Sequence, residues 1–355
     1  MLVRLKGEYS VNKQKSSLDI AKFICAILIL VIHTNPFGSY SDLLSFGFRN
    51  IICVIAVPFF FCTSGYLLSE KLESFQDGVE RNSYIKMYLK RLVVIYLFWS
   101  AVYFPFVVVK WLRAGFHYSF VVKYIKDFFF EGSYSTIWFL PALMSAAAIY
   151  WLLRKKLSNK RVFFVGCGFY VITLLLSSYY GITSRIPGLA QAGALYYSFF
   201  DSVKNGALFG LVFLAMGGML REEQFFARFS RKQALIGIIV SYVLLSVEVM
   251  GYKLIGNARG VDTVATLLPL TVWAMLFAQS FALKPSKRCI TLRKYSMLIF
   301  LCQRLPISVI DLFLSETVFA TNTVVNCVTV TAATFLISFV IIHLSEKVHW
   351  LKKIY

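Results

Sequence analysis

The chain has 355 residues, 58% of them hydrophobic and only 15% charged, with mean hydropathy +0.69; a soluble domain of this length does not need so much apolar surface, so the composition reads as an integral membrane protein. Its formal charge of +20, from 37 Lys and Arg against 17 Asp and Glu, would suit nucleic acid if the cations shared one soluble face. They lie between apolar runs instead, which excludes that partner.

Windows of about 20 apolar residues predict an all-α bundle of about ten transmembrane helices, near 20–38, 46–68, 88–109, 135–153, 162–180, 203–220, 233–251, 263–283, 295–315 and 326–346. The first, LDIAKFICAILILVIHTNPF, carries three polar residues ill suited to lipid: Asp19, Lys22 and His33. At about 100° per residue, the positions from Lys22 to His33 turn through roughly 1100°, about 20° from whole turns, so the two share a face about 16 Å apart along the axis. Asp19 lies one turn below Lys22 and can pair with its ammonium. A secretory signal is excluded here, because Lys22 interrupts the run, no small-residue cleavage site follows and further spans come after it.

Span 2 ends VPFFFCTSGYLLSEK, where Ser64, Gly65 and Tyr66 follow an aromatic run without the G-x-S-x-G pattern of a nucleophile elbow. A kink or a close backbone approach is one reading of them, substrate contact the other. Within 110–133, aromatic residues alternate with Lys and Arg, as in an amphipathic helix lying on the outer surface. Span 4 opens STIWFLPAL, with Trp138 at the outer interface. The connection 181–200, with Gly181, Pro187, Gly188 and Gly193, reads as a long external loop of the kind that carries recognition.

Span 6 begins DSVKNGALFGLVFLAMGG, where Asp201 and Asn205 are i, i+4 neighbours on one face and the glycines allow close helix packing. Span 9, SMLIFLCQRLPISVI, puts Gln303 and Arg304 near mid-membrane, where Arg304 either pairs with Asp311 or Glu248 or lines a cavity for carboxylate or phosphate groups. Glu248, Gln279 and His343 fall near span ends and read as structural. The seven cysteines sit almost wholly in apolar segments without metal-ligand spacing, which predicts neither a disulfide nor a metal site.

An even number of spans puts both termini on one side of the membrane. The connections on that side carry 27 Lys and Arg, those on the other side nine; the positive-inside rule then places both termini in the cytoplasm. A single transmembrane domain is expected over 1–355, with a short cytoplasmic segment 1–18 and no soluble domain after the last span.

No phosphate-binding glycine loop, metal cluster or carboxylate pair is visible, so ATP hydrolysis and metal-assisted catalysis have no support. What remains is one imidazole, polar helpers and basic cytoplasmic mouths. A His with an ordinary pKa of about 6.5 can take the proton of a hydroxyl as it attacks an activated acyl group, and Lys22, Lys90 and Arg91 can hold the phosphates of a coenzyme A donor. That chemistry is acyl transfer in a membrane, and it requires Lys22 and His33 to look into one hollow. The rival class is a transporter or flippase for an amino acid or envelope precursor, with His33 and Arg304 as substrate or proton-coupling groups; no inverted repeat or matched pair of broken spans supports it.

The span 1 pattern of Asp, a basic residue, ten positions and His, followed by FFFCTSGYLL, WFLPAL, NGALFGLVFLAMG and SMLIFLCQ, resembles the acyltransferase-3 family of integral membrane acyltransferases over nearly the whole chain. The resemblance implies a multi-pass cell-membrane enzyme that uses acyl-CoA, usually acetyl-CoA, as co-substrate, with no permanently bound cofactor. It implies O-acetylation of a polysaccharide or other cell-envelope glycan, or of a related small hydroxylated acceptor, with His33 essential. Lys22, held by Asp19, would anchor the donor; Ser64, Gly65, Tyr66, Trp138, Asp201, Asn205, Gln303 and Arg304 would line the substrate path. Two positions depart from the pattern: Lys22 stands where Arg is usual, and Gln303, which is neither acid nor base, where a His is frequent. The opening segment is also similar to the membrane half of vancomycin-resistance-type serine racemases, which carry a pyridoxal-phosphate domain for which this chain has no room. That branch implies a module that moves or modifies a small amino acid.

Overall fold

The computed structural model describes residues 2–222, 228–256 and 258–355, and among these there is no strand. Helix α1 (Leu2–Thr34) ends where Asn35 takes left-handed backbone, φ 45°, and Pro36 lacks the N–H to continue. From Leu2 onward the segment expected to precede the membrane is therefore continuous with the first span. Helix α2 (Asp42–Gly47) runs through a π-helical turn (Phe48–Ile52) and a 3-10 turn (Cys53–Ile55) into α3 (Ala56–Glu73), forming one long span. Asp77 then starts α4 (Gly78–Arg113) by accepting the Val79 N–H.

Helix α5 (Tyr118–Phe130) is the amphipathic helix expected after span 3. Tyr118, Val122, Ile125 and Phe129 face outward along one stripe, while Tyr124 and Phe128 pack inward and the Phe128 carbonyl accepts from Tyr96 Oη at 2.6 Å. The remaining helices are α6 (Phe139–Arg154), α7 (Asn159–Leu176), α8 (Tyr180–Thr183), α9 (Pro187–Phe199), α10 (Leu211–Glu222) and α11 (Arg231–Ile255). They are followed by α12 (Leu267–Gln279), α13 (Lys287–Cys302), α14 (Arg304–Phe313), α15 (Val318–Thr321) and α16 (Thr323–Lys347). Seven stretches of the described residues are long and apolar enough to cross a membrane, and three shorter apolar helices, Phe139–Arg154, Gly206–Arg221 and Leu267–Gln279, join them. Each falls on an expected span. The protein is a multi-pass helical membrane protein.

Helix α10 occupies the centre, packed on α3 and α7, with Leu211 through Met216 wholly buried. A helix apolar on every side can be stable only there. Contact is close because the glycines interlock: a Cβ on Gly65 would fall on the Leu214 carbonyl, and one on Gly217 would fall on the Cys62 carbonyl.

Three local expectations are corrected. The connection 181–200 is not a loop, since α9 fills most of it; Pro187 in its first turn, where the missing N–H costs nothing, was the overlooked start signal. Span 6 starts later than expected. Asn205 is its N-cap, accepting the Leu208 N–H at 2.9 Å, and Asp201 lies in the preceding loop, so the two do not share a helix face. Span 9 is broken at Gln303, because Pro306 has no N–H for the Cys302 carbonyl one turn back.

Glu248 does not meet Arg304. Its carboxylate accepts from the N–H groups of Ala265 and Thr266 at 2.8 and 2.9 Å and from Thr266 Oγ1 and Tyr252 Oη, both at 2.6 Å, tying α11 to the start of α12. Glu248→Ala leaves two backbone donors unpaired. It is expected to cost about 2–4 kcal/mol, read as a lower Tm of the purified protein in detergent.

Candidate acyl-donor cavity and the histidine above it

Lys22 Nζ stands 3.3 Å from Asp19 Oδ1, as the one-turn spacing requires, and Arg293 Nε approaches the same carboxylate at 3.8 Å. Lys22 lies on the wall of a cavity of about 510 Å³ formed by α1, α3, α4, α6, α13 and the C-terminal segment. Five cations line it: Lys22, Arg91, Arg293, Lys294 and Lys352. None of its described lining side chains is acidic; Asp19 stands behind Lys22, and Arg91 donates to the main-chain oxygen of Tyr355 at 3.0 Å. Such a wall concentrates anions. Away from the cations the lining turns apolar, with Phe60, Leu140, Leu143, Phe139 and Phe300, so the hollow is charged at one end and greasy at the other. Ser64 is on the wall too, its hydroxyl donating to the Phe60 carbonyl at 2.8 Å.

A second, smaller cavity of about 80 Å³ is lined by Ile32, Arg49, Val57, Pro58, Trp138, Phe209 and the ion pair Lys204–Asp262, among others. His33, in the last turn of α1, follows Ile32 in the chain and is part-buried, and it is not among the lining residues of this cavity. The cations whose field reaches the imidazole are Arg304, Lys204 and Arg49. At the break in span 9, Gln303 is wholly buried; its Nε2 donates to the Phe300 carbonyl at 3.3 Å, while its Oε1 and the Nε of Arg304 have no partner among the described residues. Buried polar atoms normally have one, so this corner has hydrogen-bonding capacity left unused by the described residues.

The expected residues therefore divide. Asp19, Lys22 and Ser64 gather at the large cavity with Arg91, whereas Lys90 is exposed outside it. Trp138 lines the small one, and Gln303 and Arg304 stand at the helix break. His33 is not among the residues lining the hollow that Lys22 lines, so the expected common hollow is not found. Gly65 is a packing residue, and Tyr66, almost wholly buried, has the Arg221 guanidinium 5.9 Å over its ring, away from both cavities. Asn205 caps a helix and donates to Tyr196 Oη at 3.1 Å. Asp201 is on the surface, paired with Lys123, whose hydrogen bond holds its carboxyl below the usual carboxylate range.

Sequence reasoning missed Arg293, Lys294 and Lys352 as site residues. They belong to the basic runs that set the topology, and only folding shows which of those cations turn inward. The overlooked signal was the Arg293–Lys294 pair directly preceding the apolar part of span 9.

The chain is thus a membrane-protein helix bundle with one hollow lined by five cations and many apolar side chains. Residues 15–343 match the family described as acyltransferase domain, and the chain belongs to this acyltransferase-3 family. It is similar to an amino-acid racemase of Enterococcus faecalis, 32% identical over 213 residues, covering 60% of this chain and 29% of the relative. A second amino-acid racemase of the same species is 24% identical over 340 residues, covering 94% of this chain and 46% of the relative. A serine/alanine racemase of Enterococcus gallinarum is 23% identical over 235 residues, 66% of this chain and 33% of the relative. The chain thus spans less than half the length of these relatives. No solved structure matches it.

Proposed function

We propose that the protein is a cell-membrane O-acyltransferase that draws acyl-CoA from the cytoplasm and passes the acyl group, acetyl in the first instance, to a hydroxyl of an envelope glycan or a small hydroxylated acceptor. The observation that carries this reading is the cavity with five cationic and no acidic side chains among its described lining residues, in a chain of an acyltransferase family. The phosphates of coenzyme A sit on Arg91, Arg293, Lys294 and Lys352, with Lys22 held toward them by Asp19, and the apolar end takes the pantetheine arm and acyl group. His33 takes the proton of the acceptor hydroxyl as its oxygen attacks the thioester carbonyl; the C–S bond breaks, and the coenzyme A thiolate leaves and collects the proton from the imidazolium. The products are an ester and the free thiol. Arg304 and Gln303, with atoms free to bond, orient the acceptor.

Binding of acetyl-CoA to the purified protein tests the donor site. Arg91→Ala and Arg293→Ala are each expected to weaken it about tenfold, the loss of one charge-assisted hydrogen bond, and wild-type affinity is expected to fall with rising salt. Unchanged affinity in the double variant would remove the donor site from this cavity. The racemase relatives favour a second reading of the acceptor, a small hydroxy amino acid such as serine. Labelled serine offered with acetyl-CoA separates the cases: O-acetylserine identifies the acceptor, whereas serine flux into liposomes without donor identifies a carrier.

A further inference from the structure

Aromatic side chains fall where the lining changes from one cavity to the other. On α3, Pro58 lines the small cavity and Phe60 the large one; at the start of α6 the change falls between Trp138 and Phe139. The rings of Phe60, Phe139 and Phe300, from three different helices, meet pairwise with centroids 6.2, 6.1 and 5.2 Å apart. Next to them, Phe61 lies 4.5 Å from Phe139 and 6.0 Å from Phe209, and Trp138 lies 6.4 Å from Phe209. No polar side-chain atom belongs to the three central rings, although cations line both cavities: Lys22 and Arg91 the large one, Arg49 and Lys204 the small one.

We propose that Phe60, Phe139 and Phe300 form the selectivity barrier of the acyl path, and that the room they leave sets which acyl group is transferred. The inference rests on the acyltransferase reading. For the thioester carbon to meet His33, the acyl end of the donor must pass between these rings, while the phosphates stay with the cations below, because the layer offers nothing to solvate a charge. A short unbranched acyl group parts the edges of three rings. A long or aromatic one must displace whole rings held on three helices, and closely packed interiors resist that. Phe300 is the ring best placed to yield. It lies three residues before the break in α13, and its carbonyl accepts from the Gln303 side chain.

The experiment compares release of free coenzyme A thiol from acetyl-, hexanoyl- and benzoyl-CoA by inside-out membrane vesicles, which expose the cytoplasmic mouth and retain the endogenous acceptor. Wild type is expected to prefer acetyl-CoA. Phe300→Ala and Phe139→Ala are expected to raise the hexanoyl-to-acetyl ratio about tenfold or more, and Phe300→Trp to lower it, as pocket-size changes do in other enzymes. Phe300→Leu and Phe60→Leu, checked as monodisperse by gel filtration, carry the test if an alanine variant fails to fold. Equal use of the three donors by wild type, or an unchanged ratio in every widened variant that still uses acetyl-CoA, overturns the barrier and leaves the acyltransferase reading standing. Failure of wild type to release thiol from any donor overturns that reading instead.

Discussion

His33→Ala is expected to lower acyl transfer by about 10²–10⁴-fold, the usual contribution of a positioned general base, while leaving acetyl-CoA bound as tightly as in wild type. The separation of effects follows from the geometry. Lys22 lies on the wall of the proposed donor cavity, whereas His33 does not. On the proposed mechanism, loss of the imidazole removes the general base without touching the cations of that cavity. Lys22→Ala should do the reverse, weakening donor binding more than turnover of bound donor. His343→Ala is the control: this residue is exposed on α16, stacked on Phe339 with centroids 6.2 Å apart, and takes no part in either cavity. Labelled acetyl-CoA measures both quantities. Full turnover in His33→Ala would dispose of the proposed chemistry.

Gly65→Ala is expected to destabilise the bundle by about 1–3 kcal/mol, the usual cost of overpacking, with a lower Tm and poorer yield. Its new Cβ meets the Leu214 carbonyl of a helix buried on all sides, so neither backbone can yield without opening the α3–α10 contact. Gly217→Ala, which presses on the Cys62 carbonyl from the opposite partner, should behave alike. Ser64→Ala is the contrast. Its hydroxyl bonds only the Phe60 carbonyl of its own helix, so stability should change by less than about 1 kcal/mol, and any effect should appear at the donor cavity. A Gly65→Ala protein with wild-type Tm and lost donor affinity would overturn the packing account and restore Gly65 to the substrate path.

One pair of the candidate site was legible in the sequence because it lies on one helix. A Lys and a His eleven positions apart, with an Asp one turn below, are placed by helical period alone, and the Asp19–Lys22 pair formed accordingly. Tyr66, Asp201 and Asn205 line neither cavity, for a different reason: a polar side chain near a span end serves capping, surface pairing or substrate equally well, and local pattern does not separate these uses. Asn205 became a cap once the π-helical turn began at Gly206, and Asp201 met Lys123 from α5, far away in the chain.

By itself the sequence determined the class, the ten apolar helices and the three polar residues of the first span, since apolar length and helical period are properties of consecutive residues. The side-by-side order of the helices is not such a property. Only the tertiary structure decided that Arg91, Arg293, Lys294 and Lys352 line one cavity with Lys22 and that three phenylalanines from separate helices meet on the same wall. Both arrangements follow from how glycine-lined surfaces and bulky rings pack across the bundle.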